Sequence, residues 1–152
     1  MTEIFQYIEA LPIITQFRGS VWAYPIISWT HVLGISILFG SIFCADLGLL
    51  GVAPQLGERT VQSTLSKIGI FGFCVTIISG TVLLAPAIRE YLSNGYFAIK
   101  MIVILLAGIN ALVLYGVFHG ARSTSKLAAV SGGLSIMLWL IVMFCGRMLA
   151  FG

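Results

Sequence analysis

Apolar residues in this chain fall into four long runs that are separated by short polar connectors. The runs cover residues 20–51, 67–88, 96–120 and 127–150. A helix needs about 20 predominantly apolar residues to cross the hydrocarbon core of a bilayer, so each run is long enough for one crossing. Short connectors make successive helices antiparallel neighbours. The pattern predicts an all-α integral membrane protein, with a four-helix up-down bundle over residues 20–152.

Residues 1–19 show a different pattern, in which apolar and polar positions alternate at helical spacing. Over residues 2–11 one face is apolar and the other carries Glu3 and Glu9, and Pro12 is expected to end the helix. We expect an amphipathic helix at the membrane interface, and a partly ordered tail is the alternative. A cleavable signal peptide starts with basic residues ahead of its apolar core, which this segment lacks. The apolar face consists of Ile4, Phe5, Ile8 and Leu11.

The second run has small and weakly polar residues that fall largely on one side of the predicted helix. Small side chains let the backbones of two membrane helices approach closely. We therefore expect this side to be a packing face. Its members are Gly69, Gly72, Thr76, Ser79 and Gly80.

Composition agrees with a membrane protein and narrows the range of partners. The chain is 59% apolar and only 9% charged, whereas a soluble domain has about 25% charged residues. Its net charge of +3 is spread along the chain without a basic run, so nucleic acid is not expected as a partner.

Cys44, Cys74 and Cys145 lie in apolar runs and form no CxxC motif. This spacing favours buried free thiols over a disulfide framework, a zinc ribbon or a c-type haem.

The antiparallel arrangement also assigns a depth to each polar residue. His31 lies in the half of the first helix nearer the chain ends; Lys100 enters the third helix from that side, and Arg147 leaves the fourth helix there. These three residues should share one level. The opposite level should contain Asp46, His119 and Arg122. His31 and His119 are then too far apart to ligate one haem within a single chain.

His31 is the leading candidate for a cofactor or metal ligand. An imidazole inside a helix bundle can bind haem iron or another metal, and Lys100 and Arg147 at the same level could pair with haem propionates. Trp139 could stack on such a ring. The alternatives are a His31 hydrogen bond to a serine, threonine or carbonyl of a neighbouring helix, cations that extend to the headgroups, and Trp139 as a packing residue.

The other polar residues in the runs are expected to link helices. Asp46 could pair with Arg122 or Lys67, or form one end of a proton path, since ionisable groups in spans avoid lipid. Asn110 should form an interhelical hydrogen bond, worth about 0.6 kcal/mol on average. His119 is likewise expected to have a structural role.

Sulfur-containing side chains near His31 suggest a second kind of site. Soft ligands suit Cu(I), but Met143 and Cys145 point about 160° apart on an ideal helix. Methionine as core filler is therefore favoured. The full set is Met101, Met143, Cys145 and Met148. No nucleophile–base arrangement or phosphate-binding loop is recognisable, so hydrolase and kinase chemistry has no support.

Nearly the whole chain resembles a widespread bacterial family of small four-helix membrane proteins of unknown function. The resemblance rests on FQYIEALP, WAYPIISWTHVLGISILFG, DLGLLG, LAGINAL and LWLIVMFCGRMLAF. The family often has a histidine where this chain has Tyr115. More distantly, the helix count and the bundle histidine resemble membrane cytochromes b and CopD-like copper-resistance proteins. The resemblance implies a bacterial inner-membrane location and supplies no activity. Its anchors are His31, Asp46, Asn110, Trp139 and Arg147.

Three functional hypotheses are open at this point. The first is a b-type cytochrome subunit that binds haem b between its helices and relays electrons between quinone and a redox partner. The second is a cofactor-free structural or assembly subunit of a larger membrane complex, and the third is copper or metal-ion handling. Partners would be membrane lipids, other membrane or redox subunits, or further copies of the chain.

The basic residues indicate an orientation. Arg59, Lys67, Arg122 and Lys126 lie in or beside the first and third connectors. The opposite side holds Arg18, Arg89 and Arg147, with Lys100 just inside. Because cytoplasmic loops carry an excess of Lys and Arg, this small bias favours both chain ends outside the cytoplasm.

Overall fold

The described part of the chain is helical throughout its regular secondary structure. The computed structural model describes residues 7, 9–117 and 126–149, without the side chains of residues 18 and 115–117. Two 3-10 segments, Pro54–Gly57 and Ala85–Ala87, lie between consecutive α-helices. The α-helices are α1 (Pro12–Gly19), α2 (Ala23–Leu49), α3 (Arg59–Leu84), α4 (Ile88–Ser93), α5 (Gly95–Val117) and α6 (Lys126–Met148).

Four of the described helices are long and apolar enough to cross a membrane, which confirms the predicted number of long apolar helices in an all-α chain. Their mean hydropathy lies between 2.0 and 2.4. The second of them starts at Arg59, well before the apolar run at residue 67. Hydropathy marks the segment that tolerates hydrocarbon, whereas the helix itself continues through polar turns whose backbone hydrogen bonds are equally well formed.

Helices α2 and α3 form an antiparallel pair with small residues between them. A Cβ atom at Gly72 would lie 2.6 Å from the backbone nitrogen of Leu38, and one at Gly69 would lie 3.0 Å from Ser41 Oγ. Gly69, Gly72 and Ser79 are buried, so the predicted packing face of the second run is confirmed.

Helices α5 and α6 form a second antiparallel pair that is held by an apolar cluster. Val103 and Ala107 of α5 pack with Leu138 and Val142 of α6. Beyond this cluster, Asn110 Nδ2 donates to the Ser131 carbonyl (3.1 Å), and Ser131 Oγ donates to Asn110 Oδ1 (3.0 Å). The interhelical hydrogen bond predicted for Asn110 is therefore confirmed.

The two pairs meet where α2 contacts α6. Gly132 of α6 lies against α2, since a Cβ atom there would be 3.2 Å from the Asp46 carbonyl oxygen and from Leu49 Cβ. In the part of the chain described, the extensive contacts between the long helices thus join α3 to α2, α2 to α6 and α6 to α5.

The N-terminal segment is interrupted before Pro12, as the sequence predicts, and a further helix then begins there. Tyr7 and Glu9 are helical, Leu11 is not, and helix α1 starts at Pro12. Proline is favoured in the first turn of a helix because its missing N–H needs no partner at that position. Residues 1–6 and 8, which hold three of the four members of the predicted amphipathic face, lie outside the described residues.

Candidate functional site

The polar groups inside α2 form two separate sites, one around His31 and one around Asp46. The two residues are 15 positions apart, which places them about 22 Å apart along the helix. The structure therefore keeps the two predicted levels distinct.

His31 is half-buried and faces α3. Its Nδ1 atom lies 3.0 Å from Ser79 Oγ. Ser79 Oγ in turn lies 2.6 Å from the Val75 carbonyl oxygen, to which the hydroxyl donates. The ring rests on Gly80, where a Cβ atom would come within 2.9 Å of His31 Cε1. The absence of a side chain at Gly80 is thus what admits the imidazole between the helices.

These hydrogen bonds favour one tautomer of the His31 ring. A serine hydroxyl has one proton, and the Val75 carbonyl is its nearest acceptor, so the favoured arrangement has Ser79 Oγ accepting from His31 Nδ1–H. In neutral imidazole, Nε2 then carries the lone pair. In histidines that bind a metal through one ring nitrogen, a hydrogen bond from the other ring nitrogen fixes the orientation of the ring.

Lys100 is brought to the level of His31 by the pairing of α5 with α6. Its Nζ atom lies beside Gly146, where a Cβ atom would be 3.4 Å away. The side chain is partly buried, and its charge interacts with His31. The predicted proximity of these two residues is therefore present in the fold.

The other residues predicted around a cofactor have less distinctive surroundings. Arg147 is exposed in the last turn of α6. Trp139 is half-buried and packs against the apolar cluster between α5 and α6, which matches the packing alternative for this residue. Its position neither requires nor tests a ring cofactor.

The sulfur-containing side chains differ in how far they are exposed to solvent. Cys145 is buried, Met143 and Met148 are partly buried, and Met101 is exposed. Within the described ranges, no group of three or more His, Cys, Asp and Glu side chains is arranged to hold a metal ion.

Asp46 is the most deeply buried ionisable residue of α2. Its side chain is only 4% exposed, and Oδ2 has no hydrogen-bond partner among the described residues. The carboxyl group interacts with Ser135 on α6. The pairing with Lys67 considered from the sequence is wrong, because Lys67 is exposed and forms no ion pair with Asp46. The other residues predicted at this level, Arg122 and His119, lie outside the described residues.

Sequence reasoning did not identify the partners of these two residues. Ser79 was assigned to a packing face, and it is also the hydrogen-bond partner of His31, 48 positions away. Ser135 recurs at four-residue spacing with Ser131 and Trp139 on α6. That periodicity could have identified Ser135 as a hydroxyl that faces another helix. It does not indicate which helix that is.

Comparisons with protein-family models, with curated proteins and with solved structures find no match to this chain. The functional conclusion accordingly depends on the site itself.

Proposed function

We propose that this chain is a small integral-membrane subunit of the b-type cytochrome kind, in which His31 Nε2 would bind the haem iron. One observation supports this assignment above the others: Ser79 Oγ, whose hydroxyl donates to the Val75 carbonyl, is placed to accept from His31 Nδ1–H, which leaves the lone pair on Nε2. Imidazole nitrogen is a standard haem ligand. The donor chemistry of the site thus fits the group.

Each residue of the site has a distinct role in this proposal. Ser79 fixes the tautomer and the orientation of the His31 ring. Lys100, whose charge interacts with His31, compensates the negative charge of a propionate, and Arg147 does the same nearer the headgroups. Trp139 would border the ring from the apolar cluster between α5 and α6, against which it packs. Haem supplies the one-electron chemistry, which would connect the quinone pool with a redox partner protein.

The proposal includes an arrangement in the membrane. The four long helices cross a bacterial inner membrane as an up-down bundle, and residues 1–19 lie along its interface. Both ends of the four-helix domain lie on the non-cytoplasmic side. The antiparallel contacts of α2 with α3 and of α5 with α6 support this arrangement.

An absorption spectrum of the detergent-purified protein tests the haem assignment. Oxidised and dithionite-reduced spectra are recorded after expression with ample haem. We expect a Soret band that shifts on reduction, is lost in His31→Ala, and persists in His119→Ala, which removes the other histidine of the chain. A featureless wild-type spectrum, or a band that survives His31→Ala, would overturn the assignment.

A cofactor-free structural or assembly subunit is the second candidate, and the exposure of the helices favours it. Within the candidate spans, between 11% and 28% of the residues are buried inside the chain. Most of the apolar surface is therefore left for lipid, for other subunits or for further copies. This candidate predicts co-purification with a membrane complex in fixed stoichiometry, unchanged by His31→Ala. Purification as a lone chain would contradict it.

A further inference from the structure

The Asp46 site contains an ionisable group that the haem proposal does not use. The chain has five acidic residues, and Asp46 is the one within the four long apolar runs. Only 4% of the surface of this residue is exposed to solvent. Oδ2 has no hydrogen-bond partner in the part of the chain described.

The groups around Asp46 are small or uncharged. On α6, Gly132 lies against the backbone of Asp46, and the Asp46 carboxyl interacts with the Ser135 hydroxyl. On α3, the Gln62 amide is occupied elsewhere, since its Nε2 donates to the carbonyls of Ala45 (2.8 Å) and Leu56 (3.0 Å). That pair of hydrogen bonds holds the connector against α2 without involving the Asp46 carboxyl.

The described charged groups at this end of the packed helices do not compensate Asp46. They are exposed, and none of them forms an ion pair with the carboxyl, while Arg122 and His119 lie outside the described residues. The described charged groups are Glu58 before α3, Arg59 and Lys67 on α3, and Lys126 on α6.

An ionised carboxylate at this position would be a buried charge without a counter-ion among the described residues. Such a charge is costly in an apolar interior, and in a membrane span it marks a functional group by default. A neutral carboxylic acid avoids this cost. The Ser135 hydroxyl can satisfy one carboxyl oxygen, which leaves the unpartnered Oδ2 as the atom to carry a proton.

We propose that Asp46 is a proton-binding site. Its Oδ2 takes up a proton from water at the C-terminal end of α2, close to Gly51, and releases the proton to water again. Asp46 lies less than one turn before the end of α2 at Leu49, so the aqueous connector is close to it. The reaction is the protonation of a carboxylate by water-borne H⁺ and needs no other reactant. It is independent of haem at His31, because the two residues are about 22 Å apart along the helix.

Labelling with dicyclohexylcarbodiimide tests this site in the intact wild-type protein. This apolar reagent forms a stable adduct with protonated carboxyl groups in membrane interiors, and mass spectrometry locates the adduct. We expect an adduct at Asp46 that decreases as the pH is raised. It should be absent from Asp46→Asn and unchanged in Glu58→Gln, which removes an exposed acid at the same end of the helices.

Three results would overturn the proposal. The first is no adduct at Asp46 at any pH, and the second is an adduct that does not depend on pH. The third is protection of Asp46 by Na⁺ at constant pH and ionic strength, which would indicate a metal cation as the ligand.

Infrared spectroscopy of the unlabelled protein provides a measurement that needs no reagent. A protonated carboxyl group gives a carbonyl stretching band outside the amide region, and we expect this band to titrate with pH and to shift in D2O. It should be missing in Asp46→Asn and displaced in Ser135→Ala, which removes the hydroxyl partner. A wild-type spectrum without a titrating band would contradict the proposal.

Discussion

The His31–Ser79 hydrogen bond shows how a single residue decides the chemistry of the candidate site. Without it, a histidine in an apolar helix could present either nitrogen to a ligand. With the Ser79 hydroxyl committed to the Val75 carbonyl, Nδ1 is the donor and Nε2 is left for a ligand. Ser79 is thus a positioning residue that acts through the ring.

Replacing Ser79 with alanine should weaken haem binding without removing the axial ligand. Loss of such an outer hydrogen bond lowers the affinity of a histidine ligand by about 10–100-fold. A haem titration of purified Ser79→Ala, followed by the Soret band, measures this change. Loss of the imidazole's hydrogen-bond acceptor should also raise the midpoint potential, since a less basic ligand stabilises ferric iron less.

Ser36→Ala is the matched control for that experiment. Ser36 is an exposed serine on α2 whose hydroxyl donates to the Val32 carbonyl four residues earlier, as that of Ser79 does to Val75. It has no hydrogen bond to a histidine. Equal haem affinity and equal potential in the two variants would contradict a positioning role for Ser79.

At the scale of helices, close approach of α2 and α3 depends on glycine at the contact. At Gly72 an added Cβ would meet backbone atoms of α2, with Leu38 N at 2.6 Å and the Gly34 carbonyl oxygen at 3.0 Å. Backbone cannot move aside as a flexible side chain can. The two helices would therefore have to separate along their length.

Gly72→Ala should destabilise the protein by about 1–3 kcal/mol, which is the usual penalty for overpacking. Thermal or denaturant unfolding in detergent, followed by circular dichroism, measures it. Gly108→Ala is the control, because a Cβ atom there meets nothing within 4 Å, so its stability should equal or exceed that of wild type. Equal stability of the two variants would show that α2 and α3 tolerate separation.

For the whole molecule, the proposed orientation places the ends of the four-helix domain and the first connector on opposite sides of the membrane. A periplasm-dependent reporter enzyme, such as alkaline phosphatase, tests this. Fused after residue 149, the reporter should be active, and fused within residues 51–57 it should be inactive. The reverse result would invert the orientation, and equal activity at both positions would contradict the four-span arrangement.

The all-α class, the four long apolar helices and two features of the interhelical contacts could be predicted from local properties of the chain. Hydropathy identified the four helices because transfer to hydrocarbon depends on the residues of each segment alone. Small residues at helical spacing identified the face of α3 that meets α2, and Asn110 was expected to bond across helices. The interruption before Pro12 was expected, whereas the helix that begins at Pro12 was not, because proline both ends and begins helices.

Only the tertiary structure decided which helix each polar residue meets. Ser79 beside His31, Ser135 beside Asp46 and the exposure of Lys67 depend on helix order and rotation, which short-range periodicity does not encode. In a membrane the flanking lipid is as apolar as a neighbouring helix, so hydrophobic pattern distinguishes these surfaces weakly. The sequence alone thus determined how many apolar helices there are and where costly residues lie along them. Their partners, and hence the proton on His31 and the unpartnered oxygen of Asp46, came from the packing.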